Sequence, residues 1–219
     1  MDEKHLFTEI VPNIYRLTVP FEDLYTTVYL CVCEGGTAII DCATTAYDVD
    51  DIIIPALREL NATPDVLLLT HCHGDHAGGS RALTAAFPEM KVYSAAPVHM
   101  GKYLGTPVET LTDSTVFFDR IRAIALIGHS RDSFGFLDTV SGTLLAGDCL
   151  QQYGIGRFGV GLADANGYLR SIDKIRELKP ARIICAHDYA PHGHRAEGDG
   201  EIETLLDTCR RYVLEKARK

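Results

Sequence analysis

Thr70-His71-Cys72-His73-Gly74-Asp75-His76-Ala77-Gly78-Gly79 follows directly on the apolar run Val66-Leu67-Leu68-Leu69. The run reads as a buried strand, and the six residues His71 to His76 after it carry three imidazoles and one carboxylate. Neutral imidazole and carboxylate oxygen are ligands that zinc, iron and manganese favour. Four such groups at the end of a strand point to metal chemistry rather than to packing. His71 and His73 are two apart, so an extended segment directs both the same way. Asp75 and His76 fall at the turn into the next helix. A strand-to-helix turn of this kind can aim four side chains around two metal positions, more than a single tetrahedral zinc needs.

Three later stretches repeat one grammar: an apolar strand, a small residue, then a metal-capable side chain. His129 follows Ile124-Ala125-Leu126-Ile127-Gly128, Asp148 follows Leu144-Leu145-Ala146-Gly147, and His187 follows Ile183-Ile184-Cys185-Ala186. The ordered set His-x-His-x-Asp-His, Gly-His, Gly-Asp and a late strand-end histidine resembles the metallo-β-lactamase superfamily over nearly the whole chain. The resemblance implies an α+β fold, a four-layer αββα sandwich, with a dinuclear site at one edge of the sheets. It implies that His71, His73 and His129 hold a first metal, that Asp75, His76 and His187 hold a second, and that Asp148 bridges. The implied cofactor is two divalent ions, zinc first, with iron or manganese compatible with the same ligands. Zinc β-lactamases carry cysteine where Asp148 stands; here the sulfur belongs to the neighbour, Cys149, whose side chain is expected to point elsewhere. A β-lactam substrate is therefore not expected. Flavodiiron oxygen reductases place glutamate where His73 stands, and RNA-processing members carry additional domains or basic arms.

Composition narrows the field. With 219 residues, 46% apolar and 23% charged, the chain suits one large domain over residues 1–219. A net charge of −9 and the lack of a Lys/Arg run disfavour nucleic acid as a partner; a small-molecule substrate is expected, and oligomeric state is not legible. The stretch Met1-Asp2-Glu3-Lys4-His5 lacks the basic and apolar regions of a signal peptide, and no apolar run is long enough to span a bilayer. Seven scattered cysteines, mostly inside apolar runs, suit free thiols in a reducing cytoplasm.

Strands are expected over Asn13–Val19, Thr26–Val32, Thr37–Ile40, Lys91–Ser94, Val116–Phe118, Arg122–Ile127, Phe134–Leu137, Thr143–Ala146 and Arg182–Cys185. Helices are expected around Pro55–Leu60, from Ser80 to about Phe87, over Pro97–Leu104 and Tyr168–Leu178, and from Glu201 onward. The last helix places Ile202, Leu205, Leu206, Cys209, Tyr212 and Val213 on one face.

Two divalent ions about 3.5–4 Å apart can share a hydroxide and lower the pKa of its parent water to about 7. Asp75 is the candidate to orient it and shuttle a proton, a chemistry suited to thioesters, lactones and other activated esters. Substrate selection points to Gln151–Leu162, where four glycines are interleaved with Tyr153, Arg157 and Phe158; the arginine can hold an anionic group while the aromatics cover an apolar part. Tyr25 and the Asp41–Tyr47 loop are candidates for an opposite wall, with Asp41 bracing the metal loops by hydrogen bonds. His192 and His194, in Pro191-His192-Gly193-His194, are alternatives to His187 but sit in a Gly/Pro loop; His5 and His99 read as solvated or helix-surface residues. Thr70–His73, Gly156-Arg157 and Ala186–Tyr189 also look similar to pieces of the mononuclear iron persulfide dioxygenases, which would place one iron on His71, His129 and Asp148. A non-catalytic metal-binding protein is a third class, but no ligand is visibly lost. Hydroxyacylglutathione hydrolases share the ligand set and often add a C-terminal helical domain; only about thirty residues follow His187, so that particular substrate is not expected.

Overall fold

Alternation builds the first sheet. In strands β2 (Ile14–Phe21) and β3 (Leu24–Cys33), Leu17, Val19, Val28 and Leu30 turn to one face, where they join a buried apolar cluster. The computed structural model of the chain describes residues 5–21, 24–150, 162–189 and 193–217. Two compact units emerge, Met1–Leu111 with Phe117–Asp119 and Thr112–Val116 with Arg120–Lys219.

The first unit carries a seven-stranded sheet in chain order. It begins with β1 (Thr8–Val11), continues through β2 and β3 to β4 (Gly36–Ile40), and adds β5 (Val66–Leu68), β6 (Lys91–Ser94) and β7 (Glu109–Thr110). The first four strands are antiparallel; β4, β5, β6 and β7 are parallel. Parallel strands are covered on both faces, and Val66, Leu67 and Leu68 are all buried. Their common direction brings the residues after β4 and β5 to one edge, so Asp41 and the Thr70–His76 segment become neighbours.

Helices α1 (Ile54–Glu59), α2 (Gly74–Ala77), α3 (Ser80–Ala86) and α4 (Pro97–Leu104) complete this unit. The helix expected around Pro55 begins earlier, at a wide-turned segment, Asp48–Ile53. There the Ile54 N–H reaches back five residues to the Val49 carbonyl, a wide turn placed just before a proline that has no N–H to give. Acidic Asp48-Val49-Asp50-Asp51 hides this start in the sequence.

The second unit carries a six-stranded sheet in the order β13-β12-β11-β10-β9-β8. These are β8 (Val116–Phe117), β9 (Ile121–Ala125), β10 (Phe134–Asp138), β11 (Thr143–Leu145), β12 (Arg182–Tyr189) and β13 (Gly193–Glu197). Strands β9, β11 and β12 run the same way, so His129, Asp148 and His187 all gather at one edge. Helices α5 (Ala165–Leu178) and α6 (Gly198–Lys216) supply Tyr168, Ile172, Ile175, Leu205, Leu206 and Val213 to the second core. On α6 the expected apolar face is buried, except for Tyr212, which is partly covered.

Strands β1, β7 and β13 were not expected. Each is short or polar at a sheet edge, so none shows an alternating apolar run. His194, expected in a Gly/Pro loop, lies on β13; His192 and the Tyr153, Arg157 and Phe158 segment lie outside the described residues. All seven cysteines are free and five are buried. Cys149 packs into the second core.

One buried ion pair holds the β10–β11 turn. Asp138 accepts from Arg120 Nε at 2.7 Å and Nη2 at 3.0 Å, and from the Val140 and Ser141 N–H groups. Burial pushes this carboxyl up, but the Arg120 pairing and the Ser141 and backbone hydrogen bonds prevail and hold it below its usual value. The unfolded chain therefore binds more protons there, and this contribution to stability is lost as pH falls below about 4. Asp138→Asn should destabilise by about 3 kcal/mol at pH 7, since it leaves a guanidinium partly buried without its charge partner. Urea unfolding of both proteins at pH 7 and pH 3 checks this: the gap should narrow at the lower pH.

Candidate metal centre

In the first unit the Thr70–His76 segment is built on a strand end and a single helical turn. His71 is 2% exposed and His76 is fully buried. The His71 and His73 rings stand edge to face at 4.4 Å, and the His71 and His76 rings lie 4.3 Å apart. His73, in extended conformation, caps α2, whose first turn carries Asp75; a carboxylate is favoured there by the helix dipole. His76 Nε2 lies 3.4 Å from Asp75 Oδ2.

Behind these groups sits Asp41, 1% exposed. Its Oδ1 accepts from the Thr70 N–H at 2.8 Å, and its Oδ2 accepts from Thr70 Oγ1 at 2.7 Å and from His76 Nδ1 at 2.7 Å. A carboxylate only accepts, so the threonine hydroxyl spends its proton on Asp41. Thr70 Oγ1 must then accept from His71 Nδ1, 3.1 Å away. Both imidazoles therefore carry their proton on Nδ1 and their lone pair on Nε2. Fixing the tautomer through the far nitrogen is how ligating histidines are prepared for a metal. Asp41 braces these loops by hydrogen bonds, as the sequence suggested. Thr70 is the relay, a residue whose signal in the sequence is its place immediately before His71.

The loop after Asp41 packs tightly under the ligand turn. Cys42 N–H donates to the His76 carbonyl at 2.8 Å, and Gly79 N–H to the Ala43 carbonyl at 3.2 Å. A Cβ on Gly78 would stand 2.1 Å from the Thr44 carbonyl oxygen, and one on Gly79 2.1 Å from that of Cys42. Only glycine admits this approach. Burial and the neighbouring Asp41 push the Cys42 thiol up, which keeps it protonated.

The second unit contributes His129, Asp148 and His187, which are 4%, 6% and 5% exposed. Asp148 lies between the imidazoles: Oδ2 is 3.5 Å from His129 Nε2 and Oδ1 is 3.2 Å from His187 Nε2. Gly128 and Gly147, the small residues before two of the ligands, have φ of 154° and 53°, values that favour glycine. His187 falls where the β12–β13 register shifts, between Ile184 and Tyr189.

The donor chemistry fits a divalent cation. Two donors on one tetrahedral zinc, each about 2.0–2.1 Å from it, stand about 3.3–3.4 Å apart. The Nε2-to-carboxylate separations of 3.2, 3.4 and 3.5 Å lie close to that value. The structure brings His71, His73, Asp75 and His76 together in one unit and His129, Asp148 and His187 in the other, and these seven are the residues able to hold a metal ion in groups of three or more among those described. His99 is exposed and His5 partly buried; neither joins them.

A profile of the metallo-beta-lactamase superfamily matches residues 22–187. The chain belongs to that superfamily. A hydroxyacylglutathione hydrolase of a Synechococcus species is 34% identical over 144 residues, 64% of this chain and 56% of that protein. One from Gloeobacter violaceus is 33% identical over 190 residues, 82% of this chain and 73% of that protein. The chain thus spans little more than half the length of the first of these relatives. Among solved structures, the DIM-1 metallo-beta-lactamase superimposes with a TM-score of 0.78 at 16% identity, covering 98% of this chain and 99% of that one. The expected fold class, the α+β metallo-β-lactamase sandwich, is borne out. Family and donor set together support binding of divalent metal. No helix among the described residues is long and apolar enough to cross a membrane.

Gly79→Ala should displace the Cys42–Thr44 loop or the ligand turn, because the clash is with backbone rather than with a flexible side chain. A loss of at least about 2 kcal/mol is expected, and thermal melting beside Gly74→Ala, which meets nothing within 4 Å, checks it.

Proposed function

We propose that the protein is a dinuclear metal-dependent hydrolase of thioesters, lactones or other activated esters. One ion would sit on His71, His73 and His129, and the second on Asp75, His76 and His187, with Asp148 shared. The observation that carries the reading is the double preparation of the ligands. His71 and His76 present Nε2 because Asp41 and Thr70 hold their other nitrogens, and Asp148 offers one oxygen to each of two imidazoles. The relatives named as hydroxyacylglutathione hydrolases favour a thioester among the candidate substrates.

Divalent ions held there would acidify a bound water and polarise the substrate carbonyl. Asp75, with its side chain 16% exposed beside fully buried His76, would orient the attacking water, take its proton and return it to the leaving group. Asp41 does no proton transfer; it keeps His76 and His71 in the ligating tautomer. Tyr153, Arg157 and Phe158 remain the proposed substrate contacts. Zinc is the proposed metal, and the free, mostly buried thiols support a reducing, cytoplasmic setting.

Protein purified without added metal should contain about two zinc or manganese ions per chain. Asp75→Asn should lower kcat on a simple thioester by about 10²–10⁴-fold with the fold intact by circular dichroism, and Asp148→Ala should lose metal as well. Wild-type turnover in both variants would overturn the reading. One iron per chain with oxygen uptake on glutathione persulfide would instead favour the mononuclear dioxygenase.

A further inference from the structure

We propose that α5 is a splint for the segment that delivers His129, and that Ser171 is its positioning residue. The inference rests on the reading of His129 as a metal ligand. Residues 126–128 leave β9 before His129 is reached, so their backbone carbonyls need partners outside the sheet ladder. Ser171 and Lys174, three residues apart on α5, and the Ala163–Asp164 segment that leads into it reach the carbonyls of residues 127, 125 and 128. Lys174 Nζ donates to the Ala125 carbonyl at 3.1 Å while paired with Asp113 at 2.8 Å. Ser171 Oγ donates to the Ile127 carbonyl at 2.7 Å. The Ala163 and Asp164 N–H groups donate to the Gly128 carbonyl at 2.9 and 3.1 Å. Asp164 in turn caps the helix, its Oδ1 accepting from the Gly167 N–H at 2.8 Å.

Packing locks the same register. A Cβ on Gly128 would stand 2.5 Å from Tyr168 Cα, and one on Gly167 3.2 Å from Ile127 Cγ2. At Gly128 the backbone thus meets the helix without an intervening side chain, and at Gly167 the helix leaves room for the Ile127 side chain. All three carbonyls lie within four residues of His129, and the bond nearest the middle of the splint is that of Ser171, a residue 7% exposed. Ser171 touches no reacting group. It fixes the backbone from which His129 projects, at a sequence distance of 44 residues.

Outer groups that hold ligands in place typically change metal affinity by about 10–100-fold when removed; a contact that acts through backbone belongs at the lower end. The test uses the full chain with zinc and cobalt(II) ions as probes. Ser171→Ala should weaken zinc about tenfold in competition with a chromophoric chelator. It should also shift the visible bands of the cobalt-loaded protein, because the His129 imidazole is re-aimed. Ser171→Thr keeps the hydroxyl and should restore both. Melting of the metal-free variants separates folding from positioning: a purely structural role would lower the melting temperature and leave the cobalt bands of folded protein unchanged. Wild-type zinc affinity and cobalt bands in Ser171→Ala, or no rescue by Ser171→Thr, would overturn the proposal. Failure of the wild-type chain to take up either ion would overturn the metal reading itself, and this inference with it.

Discussion

The Asp41 carboxylate is the constraint on which the first half of the site depends. A buried carboxylate costs several kcal/mol unless hydrogen bonds and charge answer it. Asp41 is answered by three donors, two from Thr70 and one from His76, and through them it joins the end of β4, the end of β5 and α2. Those donors have no freedom left once they face it. The threonine proton, the His71 tautomer and the His76 tautomer all follow from the fact that a carboxylate can only accept. Local strain is the cost: Asp41 and Ala43 have φ of 60° and 57°, a region that costs a non-glycine residue about 1–3 kcal/mol. The loop tolerates it because Gly78 and Gly79 let the backbone of residues 42–44 pass close beneath the ligand turn.

The second unit solves the same problem differently. Positive φ falls on Gly128 and Gly147, where it carries no steric penalty, and the backbone is held by α5 and by the Ala186 N–H, which donates to the Gly147 carbonyl at 3.1 Å. One unit uses a buried side chain to align its candidate ligands; the other uses glycine geometry and a helix. Both put the candidate ligands at strand ends, where the sheet supplies rigidity and the chain is released to turn.

That difference explains what could be read from the residues alone. Ligand types and their strand-end grammar were legible because three imidazoles and a carboxylate in six residues have no packing role. Elements with a strong signal were legible too: Lys91–Ser94 and Pro97–Leu104 form as expected. The start of α5 was not, because Ala165-Asn166-Gly167 are ordinary loop residues until Asp164 caps them. Thr70 and Ser171 were invisible for a deeper reason. Each acts through a hydrogen bond to a residue remote in sequence, and neither threonine before a histidine nor serine inside a helix departs from common usage. The close approach at Gly78 and Gly79 likewise looks from the sequence like an ordinary helix start.

Two buried aspartates of the second unit show how the same residue type serves opposite ends. Asp138 and Asp148 stand at the two ends of the β10–β11 hairpin region, 1% and 6% exposed. Asp138 meets a guanidinium in a paired, two-point contact. Arginine is charged at every accessible pH and cannot ligate a metal, so the pair is complete as it stands and serves the fold. Asp148 meets two imidazoles at 3.2 and 3.5 Å, longer than a charge-assisted hydrogen bond and close to the spacing of two ligands on one ion. Imidazole ligates only when neutral, and a neutral imidazole cannot offset a carboxylate's charge. The charge that suits this arrangement is a divalent cation. The choice of neighbour, guanidinium or imidazole, is thus what separates a carboxylate that stabilises the sheet from one that equips its edge for chemistry.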